Sequence, residues 1–438
     1  LNKVAKDVEE HDVDWDMVFA LRLAALFHRS RADIALPALQ AKRLGKKFRL
    51  SLGAAWLARN TLTATALADE IREWDKIGFE LKIPELDDLE RDNELAALLR
   101  READAPFDVE TGPLVRTGLV RLADDDHALL MTIHHLVFDR WSSGVLFREL
   151  AASYSAHALN QPSTLTAPAP QYETCAMQQR AWLASPAHAR QLLYWTEQLG
   201  GPMPILEVPS RRPRPATTSA GATYWFDLSE SAAGLAVDVA RRHRVTPFML
   251  FLSTFMLLLH RYTGEEDISV PSVLARRRGL EWEGVVGLLM NGTLLRTRVR
   301  GCDTCADVLK RVRDTALGAY DNQDVPFGEV LKAVTAPEML DRRRRQASFH
   351  SAPHVPLVLP GIECAPIRTA TSSAGRDFVF SLHDGSQGGR ALWHGDVEYS
   401  TDLFDEADIV QLVEDFERVL TRICERTDGT VEWAVGQD

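Results

Sequence analysis

The stretch that most constrains the fold runs over residues 127–154. Residues 127–133, His-Ala-Leu-Leu-Met-Thr-Ile, form a short apolar run of the strand type. The run ends in two adjacent histidines, His134 and His135. Neighbours on a strand point to opposite faces, so only one of the pair can look into a cleft. Asp139 follows four residues after His135, and Trp141-Ser-Ser-Gly144 opens an amphipathic helical pattern over 145–154. The chain must therefore end a buried strand at an imidazole, pass a carboxylate and enter a helix. An imidazole beside a carboxylate is a base-and-orienter arrangement. On local grounds, a histidine at a strand end serves equally well as hydrogen-bonded structure.

Composition bounds the alternatives. With 438 residues, 45% hydrophobic and 26% charged, the chain has material for two lobes with real cores. No apolar run reaches the ~18 residues of a membrane span. Residues 1–10 are charged and lack the apolar region of a signal peptide, so a cytoplasmic protein without a membrane partner is expected. A net charge of -12 argues against a nucleic-acid partner. Two arginine clusters, 211–214 and 342–345, read as solvated loops, with a docking patch for an acidic partner as the alternative. The five cysteines are odd in number and widely spaced, which does not suggest a disulfide framework. Cys302 and Cys305 form a CxxC that runs straight into a helical pattern, with no second pair beside it, so no metal is expected there.

The string His134-His135-x-x-x-Asp139 resembles the HHxxxDG signature of condensation domains from nonribosomal peptide synthetases, relatives of chloramphenicol acetyltransferase. Here Arg140 stands where that signature has glycine. Residues 106–116 are similar to the family's PFDLxxGPLLR segment, and 287–296 to its GxFxNTLPLR strand. The resemblance implies an α/β (α+β) fold of two chloramphenicol-acetyltransferase-like lobes in a V-shaped pseudo-dimer, with the active site in a tunnel between them.

Taken in order, residues 1–75 support two readings. In one they are a carrier-protein-like helical segment. Residues 13–21 then resemble the loop before a carrier's attachment serine, 38–44 the following helix and 56–71 the closing helix. Ala35 or Ile34 stands at the attachment position, so no pantetheine arm could be loaded. In the other reading the segment is a diverged start of the first lobe, with 19–23 as an early strand. Residues 76–171 then read as the condensation N-lobe and 172–438 as the C-lobe. In the N-lobe, 94–103 reads as a helix and 114–122 with 127–133 as a hairpin. Residues 161–171 read as a hinge loop. Beyond it lie helices over 172–183 and 194–201, and a strand at 206–209. A strongly apolar helix over 245–260 is capped by Thr246 with Pro247 at its first position, and a buried strand covers 267–273.

The resemblance also implies site roles. His135 matches the catalytic second histidine; His134 matches the first, a structural member of the motif. Asp139 matches the motif aspartate, which holds local structure through an arginine salt bridge, and Arg296 is the expected partner. Arg276 and Arg277 stand where the family carries an arginine in a bridging loop. Trp141, Ser142 and Asn291 match motif positions along the substrate channel, with helix packing and turn or strand hydrogen bonding as their alternative roles. Arg140 either turns away to pair with an acidic neighbour or lies across the acceptor channel as a gate. The implied activity is amide bond formation between a donor acyl or peptidyl thioester and an acceptor aminoacyl thioester. The implied partners are donor and acceptor carrier proteins and neighbouring synthetase modules. The chain itself is expected to bind no cofactor and no metal; the carriers deliver 4'-phosphopantetheine arms. A silent module that recruits other enzymes, or an ester-forming acyltransferase, is the alternative. Antibiotic or siderophore biosynthesis is the implied setting.

Overall fold

The computed structural model describes residues 14–28, 39–165, 169–215, 220–277, 279–336, 346–353, 355–369, 372–386 and 391–436. The charged stretch 1–10, the Ile34 and Ala35 positions and the arginine cluster 342–345 lie outside the described residues. The chain divides into two compact units, residues 1–105 with 117–130, and residues 106–116 with 131–438.

The first unit opens with helix α1 (Trp15–His28), whose first turn is capped by the Asp14 carboxylate accepting from the backbone N–H of Asp16 and Met17. Strands β1 (Gln40–Leu44) and β2 (Lys47–Ser51) form an antiparallel pair, and Gly45 turns the chain between them at φ +63°. Helices α2 (Ala54–Arg59) and α3 (Thr61–Asp75) follow, then β3 (Glu80–Lys82), parallel to β2, and α4 (Pro84–Asp104). Two local expectations are corrected here. Residues 40–44 are a strand, not a helix, because the alternation that buries Phe48 and Leu50 on β2 selects a period of two. Residues 19–23 lie inside α1, where Phe19 and Leu23, four apart, share one buried helical face.

The core of this unit is aromatic. Phe19 stacks on Phe48 at 4.4 Å, Trp15 lies 4.7 Å from Phe79, and Trp74 meets all four of these rings edge-on or tilted. Glu70 is buried beside them, where it accepts hydrogen bonds from Arg22 and from the Trp74 indole N–H. Trp74→Ala is expected to cost about 3–5 kcal/mol in the unfolding free energy measured with denaturant. Amide exchange should speed up in α1 and α3. A loss below about 1 kcal/mol would show that Trp74 is not a keystone of this unit.

The hairpin β4 (Val115–Arg121) and β5 (His127–Ile133) crosses the division between the units, and its β5 end carries the histidine pair into the second. A single 3-10 turn (His135–Val137) leads to α5 (Arg140–Ala158), which starts five residues before the expected helix. The second unit continues through α6 (Tyr172–Leu183), α7 (Pro186–Gln198), β6 (Gly221–Asp227), α8 (Glu230–His243) and α9 (Pro247–Thr263). Then come β7 (Asp267–Leu274), the short α10 (Leu280–Glu283), β8 (Asn291–Arg298), α11 (Cys305–Asp321) and α12 (Phe327–Val334). The chain closes with β9 (Ser348–Pro353), β10 (Phe378–Asp384), β11 (Trp393–Ser400), α13 (Glu406–Glu425) and α14 (Val431–Val435). The expected strand at 206–209 does not form; Leu206 and Val208 bury their side chains from an irregular segment.

Helix α9 is the axis of this unit. Thr246 caps it by accepting from Met249 N–H, Pro247 occupies its first turn, and Gly264 ends it at φ +72°. Every residue from Met249 to Leu259 is buried, as an apolar surface all round a helix requires. It packs under a four-stranded sheet of order β6-β11-β10-β9, in which only the β9–β10 pair is parallel. Alternation sorts the sheet into two faces. Phe349, Phe378, Phe380, Leu382, Trp393 and Val397 face the core, with Phe380 4.7 Å from Phe416 of α13. The other face carries Ser381, His383, Asp396 and Glu398.

Among the described residues no single helix is long and apolar enough to cross a membrane. Helices α8 and α9 together reach that length and composition but are bent by 106°. The 211–214 cluster is no free basic patch: Arg211 pairs with Asp408 at 2.9 Å, Arg212 with Asp405 and Arg214 with Asp377. Cys305 sits buried at the start of α11, where burial pushes its thiol up to about 11.

Candidate functional site

The site grows from the end of β5. His134 N–H donates to Leu114 O at 2.9 Å, which anchors the first histidine to the incoming chain. The His134 Nδ1 accepts from Leu136 N–H at 3.1 Å, and its ring meets Phe107 edge-on at 5.6 Å. Arg116 lies 3.9 Å over that same Phe107 ring. His134 is thus held on both sides. His135 is exposed. Its Nδ1 lies 2.6 Å from the Phe138 carbonyl oxygen, so the N–H is on Nδ1, and in the neutral ring the lone pair is on Nε2. An imidazole fixed in this tautomer can take a proton at Nε2.

The turn that supplies the Phe138 carbonyl is held by Asp139. The Asp139 and Arg277 side chains are each 1% exposed, and they form a two-pronged pair with both N···O distances 2.9 Å. Asp139 Oδ1 also accepts from Ser142 N–H at 2.9 Å and from the Ser142 hydroxyl at 2.8 Å, which caps α5. Asp139 Oδ2 accepts from the backbone N–H of Leu289 at 3.1 Å and Met290 at 3.2 Å. Burial alone would push this carboxyl up. The hydrogen bonds from Arg277 and Ser142 outweigh it and hold Asp139 below the ordinary carboxylate range.

This corrects the expected pairing of Asp139 with Arg296. Arg296 instead binds Asp267 across the β7–β8 pair, at 2.6 and 2.8 Å, and donates to the Gly200 and Pro202 carbonyls. The real partner, Arg277, follows Arg276, which turns the chain at the end of β7 with φ +51°. Ser142 and Asn291 are corrected as channel residues. Ser142 is fully buried, and its hydroxyl accepts from Gly287 N–H at 3.0 Å. Asn291 donates to the Gln323 and Val325 carbonyls and accepts from Phe327 N–H, so its amide braces a turn. The expected strand from 287 begins only at Asn291, because the N–H groups of 289 and 290 are given to Asp139. A Cβ on Gly287 would stand 2.4 Å from the Tyr172 ring, so this segment needs glycine there. Trp141 donates to the Glu283 carbonyl at 2.9 Å and lies 5.5 Å from the Arg277 guanidinium.

Arg140, the first residue of α5, reaches across to β10, where Nη2 lies 3.3 Å from His383 Nδ1. His383 Nε2 in turn lies 2.7 Å from Asp396 Oδ1. Water reaches the Arg140 side chain, yet the surrounding protein desolvates it and pulls its pKa down, with Asp396 opposing. Further along the same sheet face, burial pushes Glu398 up, Asp396 adding to the effect and Arg376 opposing it. Burial also lowers His350 to about 4. Beside Glu398 and Arg376 lies a cavity of about 490 Å³, walled also by Phe327, Leu331 and Val379. The sequence pattern did not single out His383, Asp396 or this cavity; the alternation on β10 and β11 was the available signal. Among the described residues no group of three or more potential metal ligands comes together.

Asp139→Asn is expected to cost about 3–5 kcal/mol near neutral pH, because Arg277 is left buried and uncompensated. The folded pKa of Asp139 lies below its ordinary 3.8, so its stabilisation is present above that value and lost as pH falls through the folded pKa. The gap between wild type and variant, read from denaturant unfolding, should therefore narrow at acid pH. A gap that stays constant down to strongly acid pH would refute the ion-pair account.

A family model of the condensation domain matches residues 70–351. One component of the linear gramicidin synthase of Brevibacillus parabrevis is 33% identical over 376 residues, which cover 84% of this chain and 5% of that protein. The chain thus spans a small part of the length of the curated relatives it matches. Among solved structures, the X-domain from teicoplanin biosynthesis superposes with a TM-score of 0.68 at 23% identity, covering 78% of each chain. The first condensation domain of the calcium-dependent antibiotic synthetase, with a bound substrate analogue, gives 0.65 at 19% identity over 78% of this chain and 74% of that one. These likenesses show a shared α+β fold. With the family model matched across the histidine motif and most of its surroundings, the chain belongs to the condensation domain family of the nonribosomal peptide synthetases, in which acyl transfer to an amine forms amide bonds.

Proposed function

We propose that this chain joins a donor acyl or peptidyl thioester to an aminoacyl acceptor, each carried on the phosphopantetheine arm of a carrier protein of the same assembly. The amine nitrogen attacks the thioester carbonyl carbon. His135 Nε2 receives the ammonium proton as the C–N bond forms, and returns it to the departing sulfur as the C–S bond breaks. The observation that carries this reading is the 2.6 Å contact of His135 Nδ1 with the Phe138 carbonyl, which leaves an exposed Nε2 lone pair in a turn anchored by a buried ion pair. Positioning of the two arms supplies a further share of the rate. The chain contributes the base and the binding surface and holds no cofactor of its own in this reading. Donor and acceptor carriers are its partners, and residues 76–171 and 172–438 its two condensation lobes.

The test uses the purified chain with donor and acceptor carriers loaded enzymatically, with products read by intact-protein mass spectrometry. Wild type should transfer the donor acyl group to the acceptor amine. His135→Ala should slow transfer by about 10²–10⁴-fold with the fold unchanged by circular dichroism. Near wild-type turnover in His135→Ala would remove His135 from the chemistry.

A further inference from the structure

Arg140 is the first side chain after the Asp139 cap, five residues past His135, and it projects onto the polar face of the β6-β11-β10-β9 sheet. Its surroundings leave its donors underused. Guanidinium carries five N–H donors in a planar fork. Among the described residues its one hydrogen-bonding contact is the 3.3 Å approach of Nη2 to His383 Nδ1. His383 also separates the two charges that would otherwise neutralise each other. Its Nε2–H is given to Asp396 at 2.7 Å, and its Nδ1 lone pair faces Arg140. The carboxylate and the guanidinium therefore meet the two sides of one ring and not each other. The imidazole holds the arginine in place without satisfying it. Water reaches the side chain, so the fork is open to an incoming group.

We propose that Arg140 selects the amine-bearing substrate held at His135 by binding a carboxylate on that substrate's side chain, with His383 and Asp396 as the brace that aims it. The inference rests on the reading of His135 as the base. A planar fork matches a carboxylate with two parallel N–H···O bonds, a geometry that lysine cannot reproduce. Arg140 is then a specificity-determining residue that takes no part in proton transfer. The chemical class it favours is an acceptor amino acid with an acidic side chain. The other anion within the same chemistry is the phosphate of the pantetheine arm, and the test separates the two.

The probes are aminopantetheine amides of aspartate and of asparagine, each prepared with and without the terminal phosphate. Their binding to the full chain is measured by calorimetry for wild type, Arg140→Gln and Arg140→Lys, with circular dichroism as the check on folding. Wild type should bind the aspartyl probes about tenfold or more tighter than the asparaginyl probes. Arg140→Gln should bring that ratio close to one, and Arg140→Lys should leave it reduced. An equal affinity for both side chains in wild type overturns the inference, as does a ratio that survives Arg140→Gln. A loss in Arg140→Gln that follows the phosphate and ignores the side chain assigns Arg140 to the arm and overturns it too. Failure of every probe to bind wild type at millimolar concentration has the same consequence. Product formation is read separately with loaded carriers. Condensation without side-chain preference sinks this inference alone, whereas binding preference without product sinks the proposed function alone.

Discussion

The second unit depends on one buried ion pair. Asp139 and Arg277 lie 138 residues apart in sequence, and both side chains are almost wholly shielded from water. Two charges taken out of water are tolerable only when their remaining hydrogen-bonding capacity is met. Asp139 meets it fully: it caps α5 through Ser142 and accepts two backbone N–H groups from 289 and 290. One carboxylate thereby fixes a helix start, a strand-end turn and an irregular loop in a single geometry. The Phe138 carbonyl sits next to it in the chain and sets the His135 tautomer. In the proposed chemistry the aspartate acts through architecture, and the imidazole is the group that moves the proton.

The four-stranded sheet gives this arrangement its second wall. The alternation along β10, Phe-Val-Phe-Ser-Leu-His-Asp, sends three large apolar side chains to α9 and α13 and leaves Ser381 and His383 on the other side. Its neighbour β11 does the same with Asp396 and Glu398. A strongly apolar core helix thus has a polar consequence: the face it does not cover collects titratable groups near the start of α5. There burial pushes Glu398 up, with Asp396 adding to the effect.

Much of this was legible in the sequence because it rests on short-range pattern. The strand ending in two histidines, the helix after Asp139, and the Thr246 and Pro247 start of α9 are local signals, and each forms, the helix after Asp139 starting five residues earlier than read. What escaped the sequence is long-range. Arg296 and Arg277 are both arginines near strand ends, and no local pattern says which reaches Asp139. The answer lies in the left-handed turn at Arg276 and in Asp267, diagonal to Arg296 on the neighbouring strand and paired with it. The same holds for residues 287–290, apolar enough for a strand, whose N–H groups are spent on a carboxylate from far up the chain. In the first unit, 40–44 carries helix-forming residues, yet pairing with β2 overrides that preference. The Arg140 position was conspicuous in sequence, but its contact with His383, 243 residues away, was not.

The most direct measurement of the central claim is a double-mutant cycle on unfolding free energy with Asp139→Ala, Arg277→Ala and Arg296→Ala. If the buried pair organises the site, the Asp139 and Arg277 substitutions are strongly non-additive, with a coupling of about 2–3 kcal/mol. Asp139 and Arg296 then add to within about 0.5 kcal/mol. Additivity between Asp139 and Arg277, or coupling that appears with Arg296 instead, would contradict the account.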